Sequence, residues 1–389
     1  MASIPVIQTD LRRQFFDRGG ENAAQCYQCA TCSSVCELAP ADAPFPRKQV
    51  LLAQWGMFDQ LMGDPGVWLC HQCNDCSVRC PRDVAPGDVM ASLRAMMVEK
   101  LAVPSLMGSM VGNVKKTWPI LVLGPILFWV LLLGLNTGFQ MHEAHHGLVP
   151  GPDMGQFFYD QYVPHYLIYG VYFTAVGLVC FALFSSGMKF WKLMGDKHKR
   201  TGSFIGALIG VFVAIALHNK FSSCDRGVVK RRWGHFLVMW GFIGAAITSG
   251  FAVVYLYRET VFFSWLNLQY AYPVPITHWV KLLGNFSAVI LVIGGILLFV
   301  NRMATGDKLV GATHAFDRFF LWVVLAVIGT GVFTEIFRFM AIDPLVGFAV
   351  YIVHLGVVLC LFLTLPYSKF AHILYRTLAM THERMTTGK

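Results

Sequence analysis

Charge is scarce in this chain of 389 residues: Asp, Glu, Lys and Arg make up 14% of it against 56% hydrophobic residues, and the mean hydropathy is +0.54. That poverty excludes an ordinary soluble domain, in which about a quarter of the residues are charged, and leaves room for several membrane helices. The net charge of +9 suggests nucleic acid, but its distribution argues against that. Residues 1–117 hold eleven basic and eleven acidic residues, and the whole excess lies further on, where twenty basic residues face eleven acidic ones. These cations cluster between apolar runs, as membrane topology predicts. The opening stretch MASIPVIQTDLRRQFF has no apolar core of secretory length, so a disulfide framework is not expected. Obvious internal repeats and paired broken helices are lacking too, which disfavours a transporter.

Cysteine, by contrast, is concentrated. Eight of the eleven cysteines lie in two matching runs, Cys26-x2-Cys29-x2-Cys32-x3-Cys36 and Cys70-x2-Cys73-x2-Cys76-x3-Cys80-Pro81. A cubane iron–sulfur cluster needs one thiolate at each iron, and this spacing wraps three corners in one tight loop while the fourth cysteine reaches elsewhere. Structural zinc uses two separated C-x2-C pairs, whereas each run here already holds four sulfurs. Two [4Fe–4S] clusters are therefore expected. Helical patterns at Gln49 to Leu61 and Pro86 to Ala102 suggest an all-helical two-cluster ferredoxin over residues 1–117.

From Trp118 on, six apolar windows recur, at 118–135, 166–184, 235–257, 276–300, 316–340 and 345–365, each of the length needed to cross a bilayer. The expected architecture is all-α, with a helical ferredoxin domain over 1–117 and a six-helix transmembrane bundle over 118–389. Loop 136–165 has no Lys or Arg and 258–275 only Arg258, while 186–200 and 218–233 have five each. The basic connections fall on the side of the cluster domain. The expectation is a multi-pass protein of a prokaryotic cytoplasmic membrane, both termini cytoplasmic. The fourteen-residue run Phe204 to Leu217 is short and has basic flanks, so it reads as interfacial or re-entrant.

Imidazole inside hydrocarbon is costly, and in a redox protein its commonest task is axial ligation of haem iron. His354 and His372 are eighteen residues apart. That is five full turns, about 27 Å along one helix and on one face, with Pro366 between them expected to kink the helix without necessarily ending it. On the inner side His235 is the expected mate of His372, with His314 and His218 as rivals. On the outer side His165 is the first choice for His354 and His278 the second. His142, His145 and His146 read as solvent-facing or partner contacts, and His198 and His382 as solvated or headgroup contacts. Glu335 and Arg338, three apart in the fifth window, suit either proton movement at a quinone pocket or a plain helix-end ion pair. Cys180 and Cys360 read as packing residues, and Cys224 has no assigned role.

Several of these stretches resemble known families. The cysteine runs resemble the HdrC subunit of heterodisulfide reductase. CYQCATCSSVCELAP resembles in particular QmoC, the membrane subunit of the quinone-interacting membrane-bound oxidoreductase, over essentially the whole chain. LPYSKFAHILYRT, with His354 upstream, resembles the last helix of the nitrate reductase γ subunit, whose two histidines there each bind one b haem. RRWGH, ending in His235, resembles the start of that family's other ligand helix. Two departures stand out: Cys36 is followed by Glu37 rather than proline, and Ala245 stands where the γ subunit has its second histidine. The outer haem thus takes another ligand, such as His165, or is absent.

The resemblance implies electron transfer between menaquinone, b haems (two, or one without the outer pair) and the cytoplasmic clusters. QmoA- and QmoB-like flavoprotein subunits, and through them adenylylsulfate reductase in sulfur metabolism, are the partners it implies, with no complete reaction by this chain alone. Analogy with two-cluster ferredoxins assigns Cys26, Cys29, Cys32 and Cys80 to one cluster and Cys70, Cys73, Cys76 and Cys36 to the other. A DsrM- or HdrE-type subunit for sulfite reductase or a heterodisulfide is the alternative within this class. A membrane-tethered iron–sulfur redox sensor is the alternative outside it.

Overall fold

The computed structural model describes residues 6–40, 43–140, 163–195, 200–217, 228–270, 274–303, 311, 314–340 and 343–387, and among them all regular structure is helical. Short helices come first: Thr9–Phe15 (α1), Thr31–Ser34 (α2), Arg47–Trp55 (α3), Phe58–Met62 (α4), Gly66–Leu69 (α5), Asp75–Val78 (α6), Pro86–Leu101 (α7) and Ser105–Gly112 (α8). Eight more follow, most of them longer: Val114–Gln140 (α9), His165–Gly195 (α10), Phe204–Ala216 (α11), Val228–Leu256 (α12), Trp279–Met303 (α13), Ala315–Phe339 (α14), Pro344–Thr364 (α15) and His372–Thr387 (α16). Six of the longer helices are long and apolar enough to cross a membrane, over Val114–Leu135, His165–Gly195, Arg232–Leu256, Trp279–Met303, Ala315–Arg338 and Leu345–Tyr367. The chain packs as two compact units, residues 227–304 forming one and the remainder the other.

Local chemistry sets the breaks. The helical pattern over 49–61 is two helices, because Gly56 adopts φ 73° and closes α3 with a left-handed cap. Pro86 opens α7 and Pro344 opens α15, each at a position where the missing N–H costs nothing. The Asp343 carboxylate also caps α15, accepting from the Leu345 N–H at 2.8 Å.

The expected continuous helix from His354 to His372 does not form. α15 ends at Thr364, Leu365–Tyr367 tightens into a 3-10 turn, Ser368 is extended (φ −102°, ψ −169°), and a second 3-10 turn leads into α16. Pro366 has no N–H to continue the ladder, and Ser368 leaves helical geometry altogether. The five-turn spacing argument for one shared face therefore lapses.

In the larger unit one apolar core gathers elements distant in sequence. Phe15, Phe45, Phe58, Trp68, Val89, Met90, Met96 and Met97 come from the N-terminal helices. Phe190 and Met194 come from the end of α10, Val211 from α11, and Tyr375, Ala379 and Met380 from α16. This is why α10 runs well past its apolar window to Gly195: its last turns lie in this core. α11 is held against α16, with the Thr201 and Gly202 N–H groups donating to the Met385 carbonyl at 3.0 Å. A second cluster joins α9, α10 and α15 through Trp129, Leu133, Ala175, Leu355 and Leu359, and Tyr172 donates to the Leu355 carbonyl at 2.6 Å. The smaller unit is a hairpin of α12 and α13 with a seam of small residues: Gly234, Gly241 and Gly294 lie against Leu298, Leu291 and Val238. Close backbone approach of this kind suits helices that associate in lipid.

Candidate functional site

The two cysteine runs fold into loops of the same geometry. In the first, Gln28 and Ala30 have φ 58° and 68°; in the second, Gln72 and Asn74, at the equivalent positions, have φ 54° and 66°. Left-handed conformation costs a non-glycine residue roughly 1–2 kcal/mol. Four such residues in two short loops reverse the backbone tightly around the cysteines, and in the second loop the Gln72 N–H is brought onto the Cys70 sulfur. Each loop then enters one short helical turn, α2 or α6, carrying the third cysteine.

The cysteines fall into two sets that cross the runs. Cys36 lines one cavity together with Cys70, Cys73 and Cys76. Cys32 feels the charge of Cys26, Cys80 and Cys29; burial, foremost, and these thiolates push its pKa up to about 11. Burial is also the first cause of the raised pKa of Cys36 and Cys76, with Cys70 and Cys73 adding to both. Exposed Cys29 goes the other way, because the Thr31 hydroxyl and N–H donate to it. Buried thiolates so close together need a cation between them, and iron supplies it. Gln28 Nε2 stands 3.3 Å from Cys26 Sγ and Gln72 N 3.3 Å from Cys70 Sγ, donors of the kind that stabilise cluster sulfur. Among the described residues no three His, Cys, Asp or Glu close on a point fit for a single metal ion. A cubane needs a wider cage, since its four sulfur ligands sit on four different irons.

From the second loop a bridge of cations leads to α16. Arg94 on α7 donates through Nε to the Val67 carbonyl at 2.8 Å and through Nη2 to the Cys70 carbonyl at 2.5 Å. Arg376 on α16 donates to the same Cys70 carbonyl at 3.2 Å and to that of Trp68 at 3.4 Å. Together they satisfy carbonyls left open at the end of α5. Trp68 stacks on Tyr375 with ring centroids 4.8 Å apart, and Phe190 packs edge-on to both. Arg376 lies one helical turn beyond His372, so the same helix that carries the histidine touches the cluster loop.

His372 donates through Nδ1 to the Lys369 carbonyl at 2.5 Å, while the Lys369 ammonium holds Asp317 of α14 at 2.7 Å. The ring is half-covered at the surface but deeply set in the protein, and that desolvation, with Arg376, Lys369 and Arg94 nearby, pushes its pKa down to about 4. It is a neutral imidazole whose lone pair lies on Nε2. His354 reaches the same state by another route. The Thr330 hydroxyl donates its single proton to the Ala326 carbonyl at 2.6 Å, so its contact with His354 Nδ1 at 2.9 Å makes Nδ1 the donor. Gly331 lies directly against the His354 ring, and a Cβ there would stand 3.1 Å from Cε1. An imidazole with Nδ1–H anchored and Nε2 carrying the lone pair is the form that ligates a metal.

The remaining sequence candidates fall as follows. His165 opens α10, stacked on Tyr169 with centroids 6.1 Å apart; α10 meets α15 through Tyr172 and Leu355, whereas His354 is held by α14. His278 accepts from the Val280 N–H through Nδ1 at 3.3 Å and contacts the Tyr255 hydroxyl through Nε2 at 3.2 Å, so its proton is on Nε2. His235 is half-buried on α12 in the smaller unit. His314 caps α14 with its ring against Gly19, whose φ of 93° and missing side chain make the room. Glu335 and Arg338 are half-buried in the last turns of α14. His382, expected to be solvated, is instead buried on α16 with its ring edge-on to Trp191 at 6.1 Å, because this face of α16 turns inward. His142, His145, His146, His198, His218 and Cys224 lie outside the described residues. Sequence reasoning missed Arg94, Arg376, Trp68 and Tyr375; the one available signal was the four-residue step from His372 to Arg376.

Fold and site together define an iron–sulfur protein whose described residues are helical and include six helices long and apolar enough to span a membrane. Residues 22–84 match the 4Fe-4S dicluster domain family. Residues 130–388 match the citrate utilization protein B family, and the chain belongs to that family. Citrate utilization protein B of Escherichia coli is 26% identical over 90% of this chain and 87% of its own length. An HdrC-like protein of heterodisulfide reductase type from Archaeoglobus profundus is 39% identical over 89 residues, 23% of this chain. The HdrC component of the H(2):CoB-CoM heterodisulfide,ferredoxin reductase of Methanothermobacter thermautotrophicus is 35% identical over 20% of it. The chain spans less than half the length of these last two relatives, 47% and 41%. The cysteine-bearing part is thus an HdrC-like iron–sulfur domain.

Proposed function

We propose that this chain is the quinone-reactive electron-transfer subunit of a membrane oxidoreductase, connecting menaquinone in the bilayer with two [4Fe–4S] clusters on the cytoplasmic side. The observation that carries the reading is the contact of Arg376 with the Cys70 carbonyl, one turn from His372. It supports the reading because Arg376, which touches the Cys70 loop, stands on the same helix as His372. Cys26, Cys29, Cys32 and Cys80 would hold one cluster and Cys70, Cys73, Cys76 and Cys36 the other. His372 and His354 would each give Nε2 to a b haem, with His235 and His165 as further axial candidates and His278 behind them. Clusters and haems supply one-electron steps. The protein's own groups anchor the imidazoles, donate hydrogen bonds to the Cys26 and Cys70 sulfurs and keep water from the Trp68–Tyr375 junction. Oxidation of one quinol releases two electrons and two protons, and reduction of one flavin to its hydroquinone in the partner takes up two of each, or the reverse.

The extent of similarity bears on the partner. The relative that matches along 90% of the chain is named for citrate utilization, whereas the heterodisulfide relatives match about a fifth of it. A flavoprotein oxidoreductase acting on a citrate-like acid is accordingly the first partner to test. QmoA- and QmoB-like subunits leading to adenylylsulfate reductase, or a DsrM- or HdrE-type assignment, form the second reading, favoured by the cluster loops. The test is spectroscopic: purified protein should show a reduced b-type band and a [4Fe–4S] signal, and menaquinol should reduce both centres. A preparation with clusters but no haem leaves a membrane-tethered iron–sulfur sensor and refutes electron transfer through the bilayer.

A further inference from the structure

The two cysteine loops share one backbone but not one environment. At equivalent positions Tyr27 is 71% exposed and His71 7%, Gln28 is half-covered and Gln72 buried, Cys29 is exposed and Cys73 half-covered, and Cys26 is half-covered while Cys70 is buried, its carbonyl held by Arg94 and Arg376. One loop faces the membrane helices and the other faces outward. Around the outward loop the side chains are cationic and aromatic. The Arg82 guanidinium lies 4.1 Å over the Tyr27 ring, and the Arg47 Nε donates to the Gln28 side chain at 3.3 Å. Arg79 is exposed beside Cys80, and the acids of this region are exposed Asp83 and, lining the cavity with Arg79, Glu37 and Asp75. Exposed Trp55 follows Gln54, whose amide donates to the Ala24 and Cys26 carbonyls at 3.2 and 3.4 Å. Rigid aromatics ringed by arginine are what protein interfaces use as anchors.

We propose that the Tyr27–Arg82–Arg47 face is the docking site for a soluble redox protein that presents carboxylates, and that electrons cross between the two proteins at the cluster of Cys26, Cys29, Cys32 and Cys80. This rests on the cluster reading above and adds an order to it: the Cys70 cluster is internal and the Cys26 cluster is the port. Charge complementarity selects the partner, because opposed charges speed encounter and the gain vanishes as salt screens them.

The test uses the full-length, cluster-loaded protein in nanodiscs, reduced with dithionite and mixed with oxidised flavodoxin as an acidic flavoprotein probe. The wild-type rate should fall with ionic strength. Arg47→Glu/Arg82→Glu should be about tenfold slower at low salt and converge on wild type at high salt, and Tyr27→Ala should be slower at every salt concentration. Lys100→Glu, at the far end of α7, should behave as wild type. Iron content and reduction by menaquinol should be retained throughout. No transfer to flavodoxin, equal loss in Lys100→Glu, unchanged rates in the arginine variant, or competition by anionic phospholipid vesicles alone would each overturn the docking face. Absence of any [4Fe–4S] signal in the wild type would instead sink the cluster reading, so the two failures are told apart.

Discussion

Replacing Arg376 by Ala should lower the midpoint potential of the Cys70 cluster and leave that of the Cys26 cluster in place. Arg376 donates to the carbonyls of Trp68 and Cys70, so its charge stands one residue's breadth from the sulfur of Cys70. At an effective dielectric near 20, a unit charge about 8 Å away is worth ~2 kcal/mol, which for a one-electron couple is about 85 mV. The guanidinium is half-buried, and solvent screening reduces this to roughly 40–80 mV. The sign follows from charge: adding an electron is easier beside a cation, so removing the cation moves the potential down. Arg376→Lys keeps the charge but not the fork, and should recover most of the shift. The assay is a redox titration followed by electron paramagnetic resonance, in which the two clusters are distinguished by a parallel Cys36→Ser sample. A rise in potential, an equal shift in both clusters, or no shift at all would refute the placement of α16 against the cluster loop.

Other outcomes follow from the same contacts. Iron and acid-labile sulfide should approach eight of each per chain, as two cubanes require, and Cys36→Ser should disturb the Cys70 signal rather than that of Cys26; zinc alone by metal analysis would exclude both. Reconstitution of the apoprotein with iron and sulfide should weaken as pH falls. Burial has raised the pKa of Cys32 to about 11 and that of Cys36 as well. Each ligation therefore releases a proton, and acid opposes it; yields that rise on acidification would contradict this. Gly331→Leu should remove the haem assigned to His354 while sparing that of His372, read as half the pyridine haemochrome, because the added side chain occupies the space of the imidazole. Trp68→Ala should destabilise the protein by about 3–5 kcal/mol in a denaturant titration, since Trp68 is buried between Tyr375 and Phe190.

Much of this was legible in the sequence, for identifiable reasons. Cysteine spacing encodes loop geometry directly, so the two runs announced themselves, and six helices followed from length and hydropathy. The break at Ser368 was not legible. Pro366 permits either a kink or a stop, and what ends the helix is the packing of Tyr367 and α16, with the Tyr367 hydroxyl donating to the Val103 carbonyl at 2.8 Å. His382 was misread because its neighbours in sequence are polar, whereas its neighbours in space are Trp191 and the core. Arg94 and Arg376 were missed for the converse reason: a lone arginine on a helix reads as solvated until the carbonyl it serves is visible.

The shared core of the larger unit bears on how this protein can be taken apart. A boundary near residue 117 looks like a clean seam along the chain, yet Phe190, Met194, Val211, Tyr375, Ala379 and Met380 lie in the same apolar mass as Trp68 and Met90. A graft that moved residues 1–117 onto another anchor would leave behind the floor beneath its own cluster loops. The portable piece is discontinuous, and it includes the end of α10, α11 and α16. His372 travels with that piece while His354 stays on α15 against α14, so the extended Ser368 is the line along which the protein divides between host and donor.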